Sequence, residues 1–394
     1  MQKLTNQERL RPWMGFVLFG ITMAIFLTAC VWMQMNWGIA GLILTELLLA
    51  GIAIVFCLLR KVKISEVLPI KKITLRDFAG CVVLLIGTYL ISILSVFVMA
   101  FLFPSSAAEA SELGSFLYEK GLGLIPLILI VAVLPGICEE TLHRGALLST
   151  FRGLDKEWIA VVCVGLFFSL NHVSILRGPF TFILGAVFAY IVIKKNNILL
   201  TMLMHCMLNS FSVTISYFTY KNNAVVNTDI SVDASALGLY TAALFFAPLV
   251  FVAGMKLLIP ETHKKKHFAI AGIVSAVMLV AGIVLIFAGS GKTIFSANGP
   301  LNMAEGEVRS FGSIGIPEEK DYTIALVVTG SDGNFRVEVI DENDELICGG
   351  NMDVSKMQIY NSTVHIEEGK VITVNLISLE GDPGENAQYT LMIK

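Results

Sequence analysis

Charge is what this 394-residue sequence has little of: Asp, Glu, Lys and Arg make up 15% of it, against 55% hydrophobic residues. With a mean hydropathy of +0.76, that scarcity excludes an ordinary soluble protein, in which roughly a quarter of the residues are charged. No His-Glu-x-x-His helix of the zinc-protease kind is present. Cys30, Cys57, Cys81, Cys138, Cys163 and Cys206 fall in apolar runs at spacings that fit no zinc or redox motif, which reads as membrane packing, and Cys348 stands alone in the tail. No inverted repeat or pair of broken helices stands out, which counts against a transporter. The basic clusters lie in short loops beside apolar runs, where topology accounts for them, so nothing points to nucleic acid.

What the sequence does have is long apolar runs. A bilayer core needs roughly 20 apolar residues per helix, and runs near 13–34, 37–59, 77–103 and 121–150 meet that length. Further spans are read near 158–176, 178–193, 197–219, 236–260 and 268–289, the sixth short enough to be partly re-entrant. The expected membrane body is therefore an all-α polytopic bundle of about nine transmembrane helices. Arg60, Lys61, Lys63, Lys71, Lys72 and Arg76 place the loop between spans two and three in the cytoplasm. Lys3, Arg9, Arg11, Arg152, Lys156, Lys194, Lys195 and Lys264–Lys266 then fall on the same side, and the loop Pro104–Lys120, with three Glu and one Lys, falls outside. The N-terminus is expected in the cytoplasm and the C-terminal tail outside a multi-pass cell-membrane protein.

That tail changes character. Residues 295–394 carry 17 acidic and 6 basic side chains, whereas the first 294 carry 14 and 22. Alternating stretches such as Tyr322–Val328, Phe335–Ile340 and Val371–Ile377 are separated by turns such as Ser331–Gly333, which predicts an all-β, sandwich-like soluble domain. Through Tyr322-Thr, Gly330-Ser-Asp-Gly333 and Tyr389-Thr-Leu391 it is similar to small C-terminal β-domains of secreted bacterial peptidases; nothing in the residues names its partner. Three regions result: 1–76, with two helices and a basic cytoplasmic loop; 77–290, a transmembrane core; and 291–394, the β-domain. Leu27-Thr-Ala-Cys30 resembles a lipoprotein cleavage box, but an uncleaved first span is the expected reading.

Ionisable side chains in membrane helices are costly and persist where they pair or do work. The fourth span concentrates them: Glu139-Glu140-Thr-Leu-His143-Arg144. Glu140 and Arg144, four apart, share a helix face and suit an intrahelical ion pair. Glu139, left without that partner, has the makings of a general base. Asn171 with His172, and His205 with Asn209, lie in two later spans. Counting from the cytoplasmic ends at about 1.5 Å per residue places Glu139 roughly 20 Å deep, His172 roughly 21 Å and His205 roughly 14 Å, close enough in level to meet.

Glu139-Glu140-x-x-x-Arg144-Gly145, Phe168-x-x-x-His172 and His205-x-x-x-Asn209, in that order and each in an apolar span, resemble the three signature motifs of the CAAX-protease and bacteriocin-processing family of intramembrane proteases. His143 departs from the apolar or aromatic residue common there. The resemblance implies an endopeptidase acting on a membrane-associated, prenylated or leader peptide. In that family Glu139 with His172 would hold and deprotonate a water, His205 and Asn209 would donate hydrogen bonds to the oxyanion, and Glu140 with Arg144 would brace the site. No metal is expected; the alternative is a zinc ion held by Glu139, His172 and His205. A catalytically idle immunity or scaffold protein, and a transporter, are the readings from other classes.

Overall fold

The computed structural model describes residues 10–103, 121–221, 232, 234–262, 264–289, 294–301, 303–329, 333–352, 357–380 and 387–394. The acidic loop Pro104–Lys120, the basic residues Lys3 and Arg9, and most of the Gly330–Gly333 turn lie outside them. The chain divides into two compact units, 1–286 and 287–394.

The first unit is helical: α1 (Pro12–Trp37), α2 (Ile39–Leu59), α3 (Leu75–Leu102), α4 (Leu124–Phe151), α5 (Glu157–Asn171), α6 (Gly178–Lys195), α7 (Leu199–Lys221), α8 (Ala234–Leu258) and α9 (Lys265–Gly289). Among the described residues, eight of these are long and apolar enough to cross a membrane, and α5, at 15 residues, is the shorter one. The expected fifth span, 158–176, is thus cut back. Its helix stops where Val173 takes a positive φ of 45°, a conformation that clashes with a β-branched side chain and ends regular winding. The sixth, expected to be short, runs 18 residues to Lys195.

Helix entry and contact follow from local chemistry. Thr74 and Asp77 form a capping box at the start of α3, and Asp77 also pairs with Lys195 at 2.7 Å, tying α3 to the end of α6. Close helix contacts fall on small residues, as membrane packing favours. Gly136 of α4 lies so near α7 that an added Cβ would stand 2.5 Å from Cys206 Sγ. Outward-facing Ile125, Val277, Val280 and Phe287 are exposed apolar side chains suited to lipid.

The second unit is a β-sandwich of eight strands in two antiparallel sheets. One orders β1 (Phe295–Pro300), β8 (Gln388–Ile393), β3 (Lys320–Thr329) and β6 (Met357–Ile366); the other orders β2 (Val308–Gly315), β7 (Val371–Glu380), β4 (Asn334–Ile340) and β5 (Leu346–Met352). Alternate residues point inward: Tyr322, Ile324, Leu326 and Val328 of one sheet share a core with Phe335, Val337, Val339, Ile372, Val374 and Leu376 of the other.

Candidate active site

α4 carries the first motif and is not a uniform helix. It winds as a π-helix over Leu129–Val133 and again over Thr141–Leu147, on either side of the segment holding the two glutamates. Such π segments widen the turn and free backbone carbonyls, and they occur often at functional sites. Pro135 has no N–H for the carbonyl four residues back, Val131. Asn209 of α7 donates Nδ2–H to that oxygen at 3.1 Å, so the third motif is fastened to the helix of the first.

Glu140 is the anchor. Its Oε1 accepts from Arg144 Nη1 at 2.7 Å and from His205 Nδ1 at 3.0 Å, with all three residues buried. The expected ion pair is therefore formed, and His205 joins it. Arg144 donates a second bond from Nη2 to the Gly185 carbonyl at 3.3 Å, and its guanidinium lies 4.3 Å above the Phe168 ring and 5.1 Å from that of Phe188. Charge-assisted bonds and two aromatic faces together offset the desolvation that makes a buried ion pair costly.

Phe168 sits at the centre of this arrangement. Its ring meets His143 at 5.1 Å, His172 at 4.8 Å and His205 at 5.8 Å, each nearly edge-on, while Arg144 covers its face. His172 is held by its own helix: Nδ1 donates to the Phe168 carbonyl at 2.8 Å. In the neutral ring the other nitrogen, Nε2, is then a lone-pair acceptor.

His143 is locked in the same way. Nδ1 donates to the Glu139 carbonyl at 2.9 Å, and Nε2 accepts from Asn171 Nδ2 at 3.1 Å. Both ring nitrogens are used, which makes His143 a buried strut between α4 and the end of α5 and leaves it no capacity as a base. Exposure sorts the remainder: Glu140, His143, Arg144 and His205 are buried, whereas Glu139, His172 and Asn209 are half-buried. Glu139 and His205 are electrostatic neighbours, as are His172 and His205. The structure thus gathers the sequence-derived residues in one polar cluster, with Glu140 and not Glu139 bonded to His205.

That bonding qualifies the expected part of His205. A neutral ring that donates from Nδ1 offers only a lone pair at Nε2; to donate to an oxyanion as well it must be the imidazolium. The zinc alternative fits poorly: among the described residues no three His, Cys, Asp or Glu side chains converge closely enough to hold a metal ion. Sequence reasoning missed Phe188, one apolar residue among many, and Glu46, a buried carboxyl near Glu139. Glu46 carried a signal: it is the only charged residue of α2.

Residues 121–211 match the family model described as type II CAAX prenyl endopeptidase, Rce1-like, an interval that contains all three motifs. No curated protein matches the chain. Among solved structures, a family GH115 4-O-methyl-α-glucuronidase with specificity for decorated arabinogalactans aligns at 10% identity and a TM-score of 0.21, over 66% of this chain and 42% of that one. This chain thus spans less than half of that enzyme's length, and so slight a likeness carries no argument. The chain is thus a multi-pass membrane protein whose segment 121–211 is similar to the Rce1-like type II CAAX prenyl endopeptidases, a family of proteases.

Proposed function

We propose that the chain is an intramembrane endopeptidase that cleaves a membrane-associated peptide with a water activated by Glu139 and His172, without a metal. The observation that carries this reading is the buried framework beside two half-buried side chains, Glu139 and His172, which fixes His172 with Nδ1 donating to the Phe168 carbonyl and Nε2 left as an acceptor. Glu139 takes a proton from water as the oxygen adds to the peptide carbonyl. The second N–H of Asn209 and the imidazolium of His205 donate to the oxyanion. Glu139 then passes its proton to the departing amine as the C–N bond breaks. Arg144 and Glu140 hold His205 in place.

The family description favours a prenylated C-terminal peptide as substrate, and the membrane setting also suits a leader peptide. Residues 1–76 and 77–290 are read as flanking helices and protease core, with the N-terminus cytoplasmic and the 291–394 domain extracytoplasmic. The test is cleavage by purified protein in lipid vesicles of fluorogenic farnesylated CAAX peptides and of unprenylated leader peptides, wild type against Glu139→Gln. Cleavage abolished in a folded Glu139→Gln variant supports the reading. Equal cleavage by both proteins removes Glu139 from the chemistry, and solute transport without cleavage replaces the reading altogether.

A further inference from the structure

α5 and α6 form a hairpin, and His172 stands where its connecting turn begins. Glu157 at the start of α5 pairs with Lys194 at the end of α6, so the two helices share a level at their charged ends. From there α5 runs for 15 residues and α6 for 18, roughly 22 and 27 Å at 1.5 Å per residue. Both fall short of a bilayer core of about 30 Å, so the turn 172–177 stays inside it. Hydrogen bonds fix that turn. The His172 N–H donates to the Ser169 carbonyl at 3.1 Å, and Ser169 Oγ donates to the Gly178 carbonyl at 2.8 Å. The Arg177 N–H donates to Ser174 Oγ at 3.2 Å, and Thr181 Oγ1 donates to the Arg177 carbonyl at 2.9 Å. The helices themselves approach closely, since a Cβ on Gly185 would stand 3.0 Å from Gly165 Cα.

Along this turn Val173, Ile175 and Arg177 are exposed, whereas Leu176 is buried. Among the described residues no carboxylate forms an ion pair with Arg177. Glu157 is taken by Lys194 at the far end of the hairpin, Asp77 by Lys195, and Glu140 by Arg144 and His205. A cation held within the membrane without a counter-charge is costly and marks a place where an anion is brought to it. The planar fork of a guanidinium fits a carboxylate through two parallel N–H bonds.

We propose that Arg177 binds the C-terminal carboxylate of the substrate peptide and so selects chains that end a few residues beyond the cleaved bond. This specificity role rests on the hydrolytic reading above, in which His172 holds the water against the scissile carbonyl. Arg177 heads the helix packed beside α5, and packed helices lie about 8–10 Å apart or closer. An extended peptide covers at most about 3.3–3.6 Å per residue, so a carboxylate two to four residues past the scissile carbonyl lies roughly 7–14 Å from it. That range matches the step from one helix to the next. The exposed Val173 and Ile175, between His172 and Arg177 in the chain, offer apolar contact to the side chains of the departing residues. A longer tail carries its carboxylate past Arg177 and gains nothing from it.

The test uses the full chain in phosphatidylcholine vesicles and fluorogenic peptides of one sequence, ending a few residues after the cleaved bond in a free carboxylate or in an amide, with a third acid peptide lengthened well past that reach. Wild type should cleave the short acid with kcat/KM at least about tenfold above the other two, chiefly through KM. Arg177→Gln should bring the short acid down to the amide and leave the amide unchanged, and Arg177→Lys should keep part of the preference. Equal cleavage of short acid and amide by wild type, a comparison that needs no variant to fold, overturns the proposal. An acid preference that survives in Arg177→Gln also overturns it and leaves Arg177 to the phosphates of the lipid. Failure of the wild type to cleave any peptide removes the hydrolytic reading, and fluorescence anisotropy with the same labelled peptides then decides the proposal by itself. Tighter binding of the short acid than of the amide, abolished in Arg177→Gln, upholds the carboxylate site, and equal binding overturns it.

Discussion

Asn209 donates to the carbonyl of Val131 at 3.1 Å, the oxygen that a helix would ordinarily bond to residue 135 and that Pro135 cannot serve. A side chain of the third motif therefore replaces a backbone donor that the first motif's helix lacks. Asn209→Ala should lower stability by about 1–2 kcal/mol, the loss of a hydrogen bond that leaves a buried carbonyl short of a partner. Pro135→Ala restores an N–H at the missing place, so the double variant should be less destabilised than the two single losses added together. Thermal unfolding of the four proteins in detergent checks this, and strict additivity would show that the two residues do not share the Val131 oxygen.

The Glu140–Arg144–His205 cluster predicts an asymmetry between breaking a charge pair and deleting it. Arg144→Ala strands a buried carboxylate beside His205 and should cost about 3–5 kcal/mol. Replacing both members, as Glu140→Gln with Arg144→Met, removes both charges and should recover much of that stability while leaving His205 without the carboxylate that holds its ring. The measurements are unfolding temperature and peptide cleavage, with stability recovering in the double variant and activity staying low. Recovery of both would reduce the cluster to scaffolding.

The three motifs were readable because each puts polar side chains where an apolar helix has no packing use for them. Spacing gave the Glu140–Arg144 pair correctly, since four residues return a helix to the same face and both side chains are long enough to meet even beside a π turn. Spacing could not show that His205 would bond to Glu140 and not lie beside Glu139, because that depends on the rotation of α7 against α4, which the Gly136–Cys206 contact sets. The central place of Phe168 was hidden for a related reason. Its position in the motif was visible, but its service to one guanidinium and three imidazoles comes from four separate contacts. In the β-domain the strongly alternating strands β3, β4 and β7 stood out, whereas β1 (Phe-Ser-Ala-Asn-Gly-Pro) and β5 with its Gly349-Gly350 pair are formed by pairing with β8 and β4.

The β-domain carries its own pH-sensitive contact. His365 Nδ1 bonds to Asp321 at 2.9 Å and Nε2 lies 3.5 Å from Glu319, and these two partners, Asp321 foremost, hold its pKa above the ordinary histidine value. A folded-state pKa raised in this way means that the contact stabilises below the unfolded value, about 6.5, and is lost as pH rises through the folded one. His365 is exposed, so solvent keeps the effect small. Nuclear magnetic resonance titration of the His365 ring should give a midpoint that falls toward the ordinary value in Asp321→Asn, and the difference in melting temperature between wild type and His365→Asn should shrink on the alkaline side. An unchanged midpoint in Asp321→Asn would dissolve the contact.

Val173 follows His172 with a φ of 45°, 61% exposed, at the point where α5 stops short of a full membrane crossing. For a β-branched residue the left-handed region costs on the order of 1–2 kcal/mol, and no packing of the isopropyl group offsets it at such exposure. Val173→Gly should therefore relieve strain and raise stability by about 1 kcal/mol. The same residue fixes the backbone on which His172 is aimed, since the Val173 N–H bonds to the Leu170 carbonyl at 3.2 Å and the His172 N–H to that of Ser169 at 3.1 Å. A looser turn gives His172 more orientations for the Nε2 lone pair that the proposed water requires. Cleavage by Val173→Gly should fall several-fold in kcat, with KM little changed, even as its melting temperature rises. A variant gaining stability at full kcat would mean that the turn only ends the helix and takes no part in aiming the imidazole.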